Sequence, residues 1–128
     1  MSHGHAFEFT DSPEVGRDDY VAAVPAGITS PQSLLQVLYN ALELPGYFGF
    51  NWDALSDCLR DFHWLKQHRI VLRHADVPPL PIGDLRTYLE VLVEAQSSWG
   101  PGEQHSLKVV FPAGAQGEVA RATATEWR

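Results

Sequence analysis

The sequence predicts a single α/β domain with a small three-stranded parallel sheet flanked by helices. Its 128 residues suit one ordinary domain. Three short apolar runs read as strands, and the stretches between them carry helical periodicity, giving the order β-α-α-β-α-β. The compact part is expected over residues 20–111, between an acidic N-terminal tail (1–19) and a C-terminal tail (112–128).

The first strand is Tyr20-Val21-Ala22-Ala23-Val24, ended by Pro25 and Gly27. Ser30-Pro31 then opens a helix, with a side-chain oxygen at the N-cap and a proline at the first helical position. Leu34, Leu38, Ala41 and Leu42 follow at helical spacing, Leu35 widens the stripe, and Pro45-Gly46 stops it. Asn51 can cap a second helix in which Trp52, Leu55, Leu59 and Phe62 share a face. Arg69-Ile70-Val71-Leu72-Arg73 is the second strand, and the prolines at 78, 79 and 81 break the chain after it. A third helix fits Asp84 to Ser98, with Leu85, Tyr88, Leu89, Leu92 and Ala95 or Gln96 on one side. Gly100-Pro101-Gly102 ends it, and Leu107-Lys108-Val109-Val110-Phe111 is the third strand. Phe7 and Phe9 alternate with their neighbours and weakly signal an edge strand; from Pro112 the Gly, Ala and Thr content reads as a poorly ordered end.

Composition narrows the function. Hydrophobic residues make up 45% and charged residues 20%, enough for a real core. Nine Lys and Arg against 16 Asp and Glu give a net charge of −7, which repels phosphates and points away from direct nucleic-acid binding. No apolar run is long enough for a membrane span. The N-terminus has no basic region followed by an apolar one, and Cys58 is the sole cysteine, so a reducing, cytoplasmic setting is expected.

The signatures of phosphate-binding loops, zinc hydrolases, nucleophile elbows and dinucleotide sites are all missing. No cofactor, catalytic set or metal site is expected. His63, His68 and His74 share no helix face, and His3 and His5 read as solvated tail residues. Cys58 borders the apolar face of its helix and reads as a small buried hydrophobe.

The second helix is the informative segment. Asp53, Asp57 and Asp61 stand at i, i+4 and i+8 and line the face opposite Trp52, Leu55 and Leu59. Asp53 is favoured by the helix dipole, whereas Asp57 and Asp61 repel each other, with only Arg60 near enough in sequence to relieve them. This stripe is either a solvated face or a docking surface for a cationic partner. The lead-in, Pro45 to Trp52, holds four aromatics in eight residues, some for the core and others suited to anchoring an interface.

The segment Leu44-Pro45-Gly46-Tyr47-Phe48-Gly49-Phe50-Asn51-Trp52-Asp53-Ala54-Leu55-Ser56-Asp57-Cys58-Leu59 closely resembles the hallmark segment of the barstar family of ribonuclease inhibitors. The resemblance covers roughly residues 20 to 111, and it implies the same three-stranded fold. It also implies a function: occluding the active site of a secreted, basic ribonuclease, an immunity or antitoxin role that protects the bacterial cell making it. By the resemblance, Asp57 is the carboxylate that enters the nuclease's phosphate site and Asp53 a second interface carboxylate. Tyr47 is an interface aromatic, Gly49 and Asn51 are loop positions that approach the enzyme, and Glu94 is an acidic contact on the last helix. The chain departs from the pattern at Ser56, which replaces an interface Trp, and at Arg60, which replaces a small polar residue. Phe62 or His63 would serve for another Trp.

The physical logic is competition: carboxylates held at phosphate spacing occupy the cations that bind RNA. The expected partner is therefore a basic ribonuclease or nuclease toxin, and the free chain is expected to be a monomer. Two alternatives stand beside this reading, an interaction module with a partner other than a ribonuclease and a small acid–base enzyme using Asp57, Asp61 and His63.

Overall fold

The computed structural model describes residues 7–124. His3 and His5 lie outside them. The sheet is fully parallel but has four strands rather than three, in the order β1-β4-β3-β2. These are β1 (Glu8–Phe9), β2 (Tyr20–Val24), β3 (Arg69–His74) and β4 (Ser106–Phe111). The added strand is the weakly signalled N-terminal one, where Glu8 pairs with Val110 and Phe9 with Phe111. Two residues with one charge among them carry little pattern, and the partner strand lies at the other end of the chain.

Two helices, α1 (Pro31–Ala41) and α2 (Trp52–Leu59), cross from β2 to β3, and α3 (Ile82–Ser98) crosses from β3 to β4. Helix α1 starts as expected, with the Ser30 hydroxyl accepting from the Ser33 N–H at 3.1 Å. Helix α3 begins two residues before the expected Asp84. It turns Leu85, Tyr88, Leu89, Leu92 and Ala95 into the core, while the Gln96 side chain accepts from the Val109 N–H of β4 at 2.9 Å.

The C-terminal stretch corrects the expectation of a poorly ordered end. A 3₁₀ turn over Ala113–Ala115 leads into α4 (Gln116–Ala124), which packs on α3 and buries Ala115, Val119 and Ala122. Small residues spaced along one face suffice to dock a short helix, although they give little apolar periodicity.

The two faces of the sheet are covered differently. Ala22, Val24, Ile70, Leu72, Leu107, Val109 and Phe111 join the helix leucines in one core. Alternation along β3 turns Arg69, Val71 and Arg73 to the other face. There Arg69 pairs with Asp19 at 3.0 Å and donates to the Glu14 carbonyl at 2.6 Å, and Arg73 donates to the Asp11 carbonyl at 3.0 Å. The segment between β1 and β2 is thereby strapped across this face, above the fully buried Val71. Helix α2 packs chiefly on α3, which leaves its outer side open.

Candidate functional site

Helix α2 is short, and its two ends are set by side chains. Asn51 is extended, at φ −143° and ψ 172°, and its Oδ1 accepts from the Ala54 N–H at 2.7 Å. The Asn51 amide reaches back to the Gly49 carbonyl at 3.4 Å, and a Cβ at position 49 would stand 3.4 Å from that same amide. The residues flanking the helix, Phe50 and Phe62, both adopt φ of +54°, a region a bulky side chain rarely enters. Packing holds them there. Phe50 stacks in a cluster with Tyr39 and Phe48 at centroid distances of 5.1 and 4.8 Å.

The inner face of α2 buries Leu55, Cys58 and Leu59, and burying each leucine contributes about 1.5–3 kcal/mol. Trp52 is half-buried against Tyr88, at 5.8 Å between rings. The outer face carries Asp53 and Asp57, both exposed, the Asp57 side chain at 79%. Of the aromatic lead-in, Phe48 is buried, Phe50 and Trp52 are half-buried, and Tyr47 alone stands out at 69% exposure. Partial desolvation of its hydroxyl, then its proximity to Cys58 and Asp61, push the Tyr47 phenol up.

At the C-terminal end Arg60 folds back onto the helix. Its Nη2 donates to Asp57 Oδ1 at 3.1 Å and its Nε to the Ser56 carbonyl at 3.2 Å. Asp61 accepts from the His63 N–H at 3.2 Å and contacts the His63 ring at 2.8 Å. Both members of that second pair are about half exposed.

Phe62 is a correction. Helical spacing put it on the buried face and the resemblance put it at an interface; it is fully buried. The positive φ turns its ring inward, where it stacks on Trp99 at 6.0 Å and meets Trp64 at 5.8 Å. His63, the next residue, is exposed instead. Trp99, which supports Phe62 from the far end of α3, has no signal in its own neighbourhood of the sequence. Glu94 is exposed on α3, the helix that supports α2, and Gly49 is exposed in the loop.

Burial, then the carboxylates of Asp61 and Asp57, push the Cys58 thiol up, which keeps it protonated and poorly nucleophilic. Among the described residues no three His, Cys, Asp or Glu side chains are grouped to hold a metal ion. No helix among them is long and apolar enough to cross a membrane.

A family model described as Barstar (barnase inhibitor) matches residues 21–112, which run from Val21 in β2 through the end of β4 and include all of α2. No curated protein matches the chain. Strand β1 and helix α4 lie outside the matched region.

Proposed function

Because the chain belongs to the barstar family, whose members are inhibitors rather than enzymes, we propose that it binds a basic ribonuclease or nuclease toxin and occludes its active site. The observation that carries this reading is the outward display of Asp53 and Asp57 from a helix whose other face is locked into the core. Two carboxylates one turn apart on a rigid support compete with RNA phosphates for the nuclease's cations, and little backbone order remains to be gained on binding. Tyr47 supplies the exposed aromatic anchor beside them. Gly49 and Asn51 present the loop backbone, and Glu94 extends the negative surface. The net charge of −7 steers the chain toward a basic partner. In this reading the chain is a cytoplasmic immunity protein, monomeric when free, that performs no chemistry of its own.

Titrating the chain against barnase while following RNA cleavage tests this directly. Cleavage should fall saturably as the chain is added, and the two proteins should co-elute. Unchanged cleavage at excess chain, with no complex formed, would contradict the reading.

The Asp61–His63 contact is the feature that the acid–base alternative would use. Both side chains are about half exposed, and among the described residues the hydrogen bonds of the His63 side chain include none to a Ser, Thr or Cys nucleophile. The purified chain should leave RNA and simple phosphoesters at background rates of cleavage. Turnover that disappears in His63→Ala would transfer the assignment to the enzyme.

A further inference from the structure

Helix α2 ends at Leu59, so of the three carboxylates expected along one helix face Asp53 and Asp57 lie on the helix and Asp61 lies in the turn beyond it. The surface they form is not uniformly negative. Asp57 already holds the Arg60 guanidinium at 3.1 Å, and Asp61 holds the His63 ring at 2.8 Å. Asp53 has no such partner among the described residues. Arg60 is tethered at two points, to Asp57 and to the Ser56 carbonyl, and its side chain remains 47% exposed. A guanidinium has five N–H donors. Those of Arg60 beyond the two tethers have no acceptor among the described residues. A positive charge is thus held in place within the surface that meets the nuclease.

Docking changes the surroundings of that charge. When a nuclease cation takes Asp57, the exposed Arg60–Asp57 pair is shared or broken, which costs little in itself because exposed pairs are weak. The guanidinium then loses water while facing a basic surface, and like charges brought together in a desolvated interface are strongly unfavourable. A carboxylate on the nuclease would reverse the sign, since it can accept two parallel N–H bonds from a planar guanidinium.

We propose that Arg60 is a specificity-determining residue, which selects a nuclease with a carboxylate beside its phosphate-binding cations and disfavours one presenting only cations there. The proposal rests on the inhibitor reading above. It assigns Asp53 and Asp57 to attraction and Arg60 to discrimination, an attractive and a repulsive element on one helix face.

The test is the dissociation constant for barnase, a basic ribonuclease, measured for the wild-type chain, Arg60→Gln and Arg60→Lys. Arg60→Gln, which removes the charge and keeps most of the length, should shift the constant at least tenfold. The shift is toward tighter binding where the nuclease presents only cations opposite position 60 and toward weaker binding where it presents a carboxylate there. Arg60→Lys, which keeps the charge and loses the fork, should stay within about threefold of wild type. Thermal unfolding of all three should coincide, because the side chain is exposed. Tighter binding by Arg60→Gln sustains the proposal even if the wild type fails to inhibit barnase. Wild-type inhibition with Arg60→Gln within about threefold of wild type, or with Arg60→Lys shifted as far as Arg60→Gln, overturns the proposal and leaves the inhibitor reading standing. No binding by any of the three overturns both.

Discussion

Trp99 donates its indole N–H to the Leu59 carbonyl at 3.0 Å, so a side chain from the far end of α3 closes the last turn of α2. The final carbonyls of a helix have no partner within it, and this one is buried with its residue. The same indole stacks on Phe62. One residue therefore fixes both the exit of α2 and the left-handed turn that follows.

Trp99→Phe should accordingly cost about 1 kcal/mol from the lost hydrogen bond, with most of the ring packing kept. Hydrogen exchange should show faster opening at the amides of residues 59–62 than elsewhere. Uniform loss of protection, or no change in the urea midpoint, would show that the bond does not anchor this end.

The opposite end of α2 rests on Asn51. Asn51→Ala removes the cap on the Ala54 N–H and should cost about 1 kcal/mol, whereas Asn51→Asp should be near neutral because a carboxylate also caps and complements the dipole. Urea denaturation of the two variants separates these outcomes. Equal loss in both would mean that the Asn51 contact with Gly49 matters more than the cap.

His74 gives the chain a built-in acid sensitivity. Its ring is buried, stacked on Phe111 at 4.1 Å, with Nδ1 donating to the Val110 carbonyl at 3.0 Å and Nε2 accepting from the Tyr88 hydroxyl at 2.7 Å. Desolvation, opposed in part by the Val110 carbonyl, lowers its pKa from 6.5 to about 4. The unfolded chain takes up this proton below pH ~6.5 while the folded chain refuses it until pH ~4. The stabilisation is thus complete above pH ~6.5 and is lost as pH falls toward 4, on the order of 3 kcal/mol in all. The ring resonances of His74 should stay unchanged from pH 7 to 5. A titration midpoint near 6.5 would contradict this placement.

The N-terminal strap depends on Asp19, whose side chain is 14% exposed and whose Oδ2 accepts from both Arg69 and the Gly16 N–H. Asp19→Ala should cost roughly 1–3 kcal/mol, the range for hydrogen bonds to charged groups. Proteolysis should then begin within residues 10–19. Stability within 0.3 kcal/mol of wild type, on the scale expected of an ordinary surface position, would mean that the strap is held by other contacts.

Much of this was legible in the chain. Strand β2 matches its apolar run residue for residue, and the first helical residue of α2 follows from Asn51 as a cap. Spacing alone places Asp53 and Asp57 on one exposed face with Arg60 as a neighbour, but it also puts Asp61 on that helix, which in fact ends at Leu59. What escaped depends on distant partners. Strand β1 gains meaning only from Val110 and Phe111, and α4 only from the surface of α3. The burial of Phe62 needed both a positive φ, which no residue type announces, and Trp99, which lies 37 positions on. Sequence spacing also made Asp57 and Asp61 look like mutual antagonists, whereas each has its own local partner.

Asp53 and Asp57 are proposed to form a docking surface and not merely a solvated face. The deciding measurement is the dissociation constant for barnase of wild type, Asp53→Ala and Asp57→Ala, read alongside the melting temperature of each free chain. Each carboxylate that hydrogen-bonds to a nuclease cation is worth roughly 1.5–3 kcal/mol, so each variant should bind about 10- to 100-fold more weakly. Removing Asp57 loses one exposed ion pair and relieves repulsion along the helix, so its melting temperature should be essentially that of wild type. Unchanged affinity with a lowered melting temperature would show that the stripe serves the fold and not a partner.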